Sequence, residues 1–156
     1  MKTIILYATK HGAAREIAQR IAAEIEGAVV HDLKQSGDID ISEYDRVILG
    51  SSLYAGSIRK EAKAFLAQNK DALKMKRPGL FLCGLDAGNE EKYFKDNFLE
   101  EILQTAETTG FLGGIFDPQK VGMPGRLIMK AASGVSKYTD AIENGKIESF
   151  AAAMKG

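Results

Sequence analysis

Five short apolar runs punctuate the chain, at Thr3–Tyr7, Ala28–Leu33, Val47–Gly50, Leu80–Leu85 and Gly110–Phe116. Between them the apolar positions change period. Ile17, Ile21 and Ile25 stand four apart, and Ile58, Ala62, Phe65 and Leu66 form a second such stripe. Tyr93, Phe94, Asn97, Phe98, Glu101 and Ile102 keep the spacing with some polar members. That spacing gathers side chains on one helix face, so three helices are predicted, with a last one over roughly Ile147–Met154. The runs are apolar throughout rather than alternating, which marks strands buried on both faces. Strand and helix in strict alternation predict an α/β fold, a three-layer, doubly wound, five-stranded parallel sheet covered on both sides. No linker, low-complexity tract or internal repeat breaks the pattern, so 1–156 is read as one domain.

Ligands of such sheets bind beyond the carboxyl ends of the strands, where strand order reverses. The segments to inspect are therefore Thr9–Ala14, Ser51–Gly56 and Gly84–Asn89. The first is the most informative. A β-branched run ends in Thr9-Lys10-His11-Gly12-Ala13-Ala14-Arg15 and passes directly into a helix. A strand–turn–helix junction aims bare backbone N–H groups and the positive end of the helix dipole at one spot, which suits an anion, most often a phosphate. Thr9 Oγ and the N–H groups of Lys10, His11, Gly12, Ala13 and Ala14 form the expected cradle. Thr9 as a simple helix cap is compatible with that role.

Several phosphate chemistries are excluded. The chain contains neither G-x-G nor G-x-x-x-x-G-K-[ST]. A phosphoacceptor domain needs a carboxylate after the third strand and an acidic pair after the first, where this chain has Ser51-Ser52 and Ala8-Thr9. Cys83 is followed by Gly84-Leu85-Asp86-Ala87-Gly88-Asn89, without the Arg of a cysteine-dependent phosphatase loop, and is read as a buried strand residue. No Ser–His–Asp, Cys–His or metal-spaced cluster is evident, so any chemistry must come from a cofactor.

Composition narrows the class further. The 156 residues are 45% hydrophobic and 27% charged, with a formal net charge of zero, which argues against a nucleic-acid binder. The single Cys83 excludes an internal disulfide and points to a reducing cytoplasm. The first apolar run is short and is followed by Lys10 and His11, so it reads as a strand and not a leader; no stretch reaches membrane-span length. Charge is unevenly placed. Asp86–Glu107 carries seven acids against Lys92 and Lys95, whereas Asp117–Lys137 carries Lys120, Arg126, Lys130 and Lys137 against Asp117. Either these are solvated helix faces or one of them docks a partner.

A phosphate turn, a second loop of small residues with one aromatic, and a Gly-rich third loop with one acid together resemble the flavodoxin family. The resemblance covers essentially the whole chain. It rests on Tyr7–Glu16, on Tyr44–Ser52 and on the tail after Phe116. It is strongest to the branch that includes the menaquinone-dependent protoporphyrinogen oxidases, through Gly12-Ala13-Ala14-Arg15-Glu16 and Leu127-Ile128-Met129-Lys130. The resemblance implies strand order 2-1-3-4-5, with Lys34–Gly37 away from the site, and FMN held by the three loops. Ser51, Ser52, Leu53, Tyr54, Ala55 and Gly56 would run along the isoalloxazine, with Tyr54 stacked on it or Leu53 covering it. Backbone near Gly56 would respond to protonation at flavin N5. Gly84, Leu85, Asp86, Gly88 and Asn89 would border the ring, with Asp86 accepting from N3–H or lowering the potential by its charge.

Two departures matter. The turn keeps one hydroxyl, Thr9, with Ala8 and Ala14 where Ser and Thr are common; each lost hydroxyl removes about 1.5–3 kcal/mol of anion binding. Charge from Lys10, His11 or Arg15 would compensate. The loop Leu85–Asn89 has no aromatic, and Tyr93 falls too far into the helix, leaving one flavin face less covered. Three functions stay open: an electron carrier serving a redox partner protein, a quinone-linked flavin oxidoreductase, and a flavin-free interaction module. The basic, apolar segment Gly122–Lys130 suits either core packing or contact with a membrane surface or quinone.

Overall fold

The computed structural model describes residues 1–35 and 39–156, so Ser36 and Gly37 of the Lys34–Gly37 stretch lie outside the described residues. The chain runs β1 (Thr3–Ala8), α1 (Ala13–Glu24), β2 (Val29–Asp32), β3 (Arg46–Tyr54), β4 (Ser57–Ile58), α2 (Lys60–Lys76) and β5 (Gly79–Cys83). It continues through α3 (Glu90–Asn97), α4 (Glu100–Thr105), β6 (Thr108–Phe111), β7 (Ile115–Phe116), α5 (Met123–Ser133), β8 (Thr139–Asp140) and α6 (Asn144–Lys155). Strands β2-β1-β3-β5-β6 pair in parallel in that order. Counted along this sheet, the order is the expected 2-1-3-4-5.

Side-chain alternation divides the core into two halves. Ile4, Leu6, Val47, Leu49, Leu80 and Leu82 face Phe65, Phe94, Phe98 and Ile102 from α2 to α4. Ile5, Tyr7, Ile48, Phe81 and Cys83 face Ile17 and Ile21 of α1 and Ile147, Phe150 and Met154 of α6. The edge of Phe81 meets the ring of Phe150, with centroids 6.1 Å apart and planes at 87°. Both faces of β1, β3 and β5 are therefore dry, which is why their sequences show no alternation.

Three expectations need correction. Ile58 does not begin the second helix but lies in β4, which folds back antiparallel on β3 and pairs Leu53 with Ile58 and Tyr54 with Ser57. Its hairpin has only Ala55 and Gly56 at its tip, both with positive φ (51° and 80°), the geometry that matches strand twist. The third helix is two. The chain is extended at Phe98 and Leu99, yet Phe94, Phe98 and Ile102 all remain buried. The run Gly110–Phe116 is also two elements. β6 closes the sheet, and β7 pairs with β8 outside it. Beyond these, 122–130 is largely helix α5, an element the periodicity does not predict, which starts at Met123 with Pro124 in its first turn.

The departure from β6 is tightly built. Gly113 has φ 86°, and a Cβ there would lie 1.9 Å from the Ala141 carbonyl oxygen. The Gly113 carbonyl accepts from Gly84 N–H at 3.0 Å, Gly114 carbonyl from Ala141 N–H at 2.8 Å, and Leu112 carbonyl from Glu143 N–H at 3.1 Å. These bonds fix the base of the 115–140 segment against the end of β5. From there α5 reaches over the carboxyl ends of the strands.

Candidate functional site

The loops after β1, β3 and β5 converge on one cleft, roofed by α5. At one end stands the first turn of α1. Thr9 Oγ accepts from Gly12 N–H (2.9 Å), and Ser52 Oγ accepts from Lys10 N–H (3.3 Å). Among the described residues no hydrogen bond takes up the N–H of His11, Ala13 or Ala14. Among the described residues His11 Nε2 is buried without a hydrogen-bond partner. Burial pushes the His11 pKa down, and the neighbouring charges of Lys10, Arg59 and Lys120 push it the same way. Donors without acceptors and cations without an anion thus meet at one spot. A polar atom buried without a partner is costly, and a bound anion would satisfy it.

The middle of the cleft is the β3–β4 hairpin. Lys10 Nζ lies 3.5 Å from the Tyr54 ring centroid, and the Arg59 guanidinium carbon 5.7 Å from it. Behind the ring, a Cβ on Gly125 of α5 would approach Tyr54 Cε2 to 3.9 Å, so the helix packs closely there. Asn97 fastens the hairpin to α3. Its Nδ2 donates to the Gly56 carbonyl at 2.9 Å and the Tyr93 carbonyl at 2.8 Å, and its Oδ1 accepts from Ile58 N–H at 3.0 Å. Ala55 holds a backbone conformation that L residues seldom adopt, and these bonds keep it there.

At the far end Tyr93 Oη donates to Asp86 Oδ2 at 2.9 Å, and Asn89 Nδ2 donates to the same oxygen at 2.7 Å. Burial and then the Asp86 carboxylate raise the Tyr93 pKa, so the phenol keeps its proton. Tyr93 stacks on Phe111 with centroids 6.2 Å apart and planes at 20°. Apolar walls come from Leu53, Leu85, Ile115, Phe116, Ile128 and Met129. The arrangement is a slot with a cationic, donor-rich end and an apolar body, suited to a flat ligand that carries an anion.

The flavodoxin domain family matches residues 4–141, which is most of the chain. This chain belongs to the flavodoxin domain family. The protoporphyrinogen IX dehydrogenase [quinone] of Escherichia coli strain K12 is 29% identical over 96 residues, covering 59% of this chain and 53% of that protein. The chain thus spans about half the length of the curated relatives it matches. Among solved structures, a short-chain flavodoxin associated with a non-canonical PDU bacterial microcompartment superposes with a TM-score of 0.59 at 16% identity, covering 99% of this chain and 97% of that one. A Fusobacterium nucleatum flavodoxin bound to flavin mononucleotide gives 0.53 at 14% identity, covering 99% and 96%. At such identities these two structures establish the fold alone.

Of the positions the sequence singles out in this flavodoxin domain, Thr9, Lys10, His11 and Ala13 line the cleft, as do Ser52, Leu53, Tyr54, Ala55, Gly56, Gly84, Leu85 and Asp86. Gly12, Ala14, Ser51, Gly88 and Asn89 are not among the lining residues. Ser51 Oγ is turned inward, accepting from Arg59 N–H and donating to the Ser52 carbonyl. Lys10 and Gly12 N–H have internal partners, so the cradle is smaller than expected. Tyr93 corrects a further expectation, because it lines the cleft despite its place in α3. The three-residue turn Ala87–Asn89 brings α3 close enough for its first turn to reach back. Sequence reasoning also missed Arg59, Cys83 and the α5 wall. Arg59 carried a usable signal, as a cation immediately after the hairpin. Burial drives the Cys83 thiol pKa far up, so it stays protonated and inert. No described helix is long and apolar enough to cross a membrane.

Proposed function

We propose that the cleft binds FMN and that the protein transfers electrons through it. The observation that carries this reading is the pairing of an unpartnered buried His11 Nε2 with the free N–H groups of Ala13 and Ala14, at the one end of the slot where Lys10, Arg59 and Lys120 also gather. Those groups hold the phosphate. The three cations replace hydroxyls that the turn lacks, since a charged donor contributes at least as much as a neutral hydroxyl to an anion. Leu53 and Tyr54 bound one side of the slot and Ile128 and Met129 of α5 another. These residues would hold the isoalloxazine and exclude water from it. FMN supplies the electron chemistry. The chain's own contribution is to orient the ring, exclude solvent and hold a protonated phenol, Tyr93, against the Asp86 carboxylate at the ring's end of the slot.

The test is titration of the FMN-free protein with FMN and with riboflavin, followed by quenching of flavin fluorescence. FMN binds, and riboflavin, lacking the phosphate, binds at least about tenfold more weakly. Replacing both Arg59 and Lys120 with Ala removes most of that preference. Absence of quenching at millimolar FMN overturns the reading.

A second reading is a quinone-linked flavin oxidoreductase. It is supported by the similarity to the Escherichia coli dehydrogenase and by the apolar α5 wall. Rapid reoxidation of the reduced, FMN-loaded protein by a menaquinone analogue supports this enzyme. Faster electron delivery to a protein acceptor supports the carrier.

A further inference from the structure

Helix α5 is apolar on two sides. Gly125, Ile128 and Met129 line the cleft, while Met123 and Leu127, four residues apart on another stripe, are each 62% exposed. A helix that shows apolar residues beyond the face it buries wants a second apolar surrounding. Among the described residues that are large, apolar and mostly exposed, three fall within 123–138 (Met123, Leu127 and Tyr138). The other four, Met1, Val29, Met75 and Leu99, are scattered singly. On α5 itself helical spacing sets Met123 and Leu127 beside Arg126 and Lys130, and Lys137 and Tyr138 follow shortly after the helix. Among the described residues none of these cations has a carboxylate within ion-pair distance, and Arg126 Nε donates to the Pro118 carbonyl at 2.9 Å. Apolar tips beside cations without a carboxylate match a surface that is anionic outside and apolar just beneath.

We propose that the outward face of α5 docks on an anionic lipid bilayer, with Met123, Leu127 and Tyr138 entering the headgroup–acyl boundary and Arg126, Lys130 and Lys137 meeting the lipid phosphates. A second copy of the chain is disfavoured, because a twofold contact through this face sets its cations against themselves. Three apolar side chains also fall well short of the ~800 Å² per partner of a stable protein interface. Docking this way seats the α5 roof of the cleft at the lipid surface, so an apolar acceptor dissolved in the bilayer has a short path to it. The docking itself does not depend on the FMN reading.

Sedimentation with phosphatidylglycerol-containing vesicles, against pure phosphatidylcholine vesicles, tests it on the full chain. The protein pellets with the anionic vesicles and is released by salt, because each cation near the surface is worth about fivefold in partitioning. Leu127→Glu lowers partitioning at least about tenfold, and K130E/K137E lowers it by more than that. Leu127, Lys130 and Lys137 do not line the cleft, so FMN titration and far-UV circular dichroism of these variants match the parent. Equal binding to both vesicle types, binding that neither variant weakens, or no binding overturns the proposal. A concentration-dependent dimer in light scattering that L127E abolishes also overturns it, in favour of a second copy. Pelleting requires no flavin, so its failure leaves the cofactor reading standing, and a failed FMN titration leaves this one standing.

Discussion

The acidic stretch that leaves the cleft at Asp86 and Tyr93 and runs on through α4, and the basic segment around α5 that roofs the same cleft, handle their charges in opposite ways. On the acidic side, Glu91 meets Lys95 at 2.9 Å and Asp96 meets Lys92 at 2.6 Å, each one helical turn away. Glu101 meets Lys74 of α2 at 2.8 Å and Lys70 at 3.8 Å, while Glu107 meets Arg77 at 3.1 Å. Most of the seven acids thus have a cation or a hydrogen-bond donor nearby. On the basic side Lys120, Lys130 and Lys137 have no such partner among the described residues. The lesson is that a linear charge count misjudges a surface. The larger imbalance in the sequence is partly offset by Lys70, Lys74 and Arg77 at α2, whereas the smaller one has no ion pair among the described residues.

The sharpest way to break this contrast is to detach the basic segment at its base. Gly113→Ala forces a Cβ against the Ala141 carbonyl at a positive φ, and we expect it to destabilise the protein by about 2–4 kcal/mol. Chemical denaturation measures the loss. FMN binding should fall with it, because α5 roofs the cleft; a variant of parental stability would show that the segment is loosely held.

A smaller effect concerns His11. Its pKa is depressed in the free protein by burial and by three cations, and a bound phosphate raises it. A group that gains proton affinity on binding makes binding tighter as pH falls through its bound-state pKa, and the full gain is reached below its free-state pKa. FMN affinity measured from pH 8 toward pH 5 should therefore rise in the parent relative to His11→Gln, by a few-fold. The Gln variant controls for titration of the phosphate itself. Parallel profiles would remove His11 from the anion site.

The smallest effect is expected on the acidic face. Hydrogen bonding and charge from Lys74 hold the Glu101 carboxyl below the usual carboxylate range, yet the pair is open to solvent. Glu101→Gln should leave the thermal midpoint and FMN affinity unchanged within replicate scatter. A clear fall in either would mean that the acidic face is coupled to the cleft after all.

How far the site could be read from sequence varied with how locally each part is built. The Thr9–Ala14 turn was legible because a strand, a turn and a helix adjacent in sequence suffice to aim its N–H groups. The Ser51–Gly56 loop was legible in place but not in form. Ile58 has helical spacing to Ala62, and only the pairing of Leu53 with Ile58 shows that it belongs to a hairpin. Tyr93 was not legible as a cleft residue, nor Arg59 as a neighbour of Tyr54 and His11, since a short turn and a strand reversal carry them back toward a site they have already left. α5 is not evident in the sequence, since its start carries Gly122, Pro124 and Gly125 in place of a periodic apolar stripe, although Pro in a first turn starts helices well.

By itself, then, the sequence determined the layered α/β architecture and the donor-rich turn at the end of β1, and its family resemblance supplied the sheet order. The first two follow from periodicity and from contacts a few residues apart. Only the tertiary structure decided which cations gather near His11, which aromatic reaches the cleft, and that α5 roofs it with a second apolar face turned outward. Those features depend on loops and helix ends meeting across long separations in the chain. Such contacts are fixed by packing and backbone geometry, as at Gly113 against Ala141, and linear spacing carries no record of them.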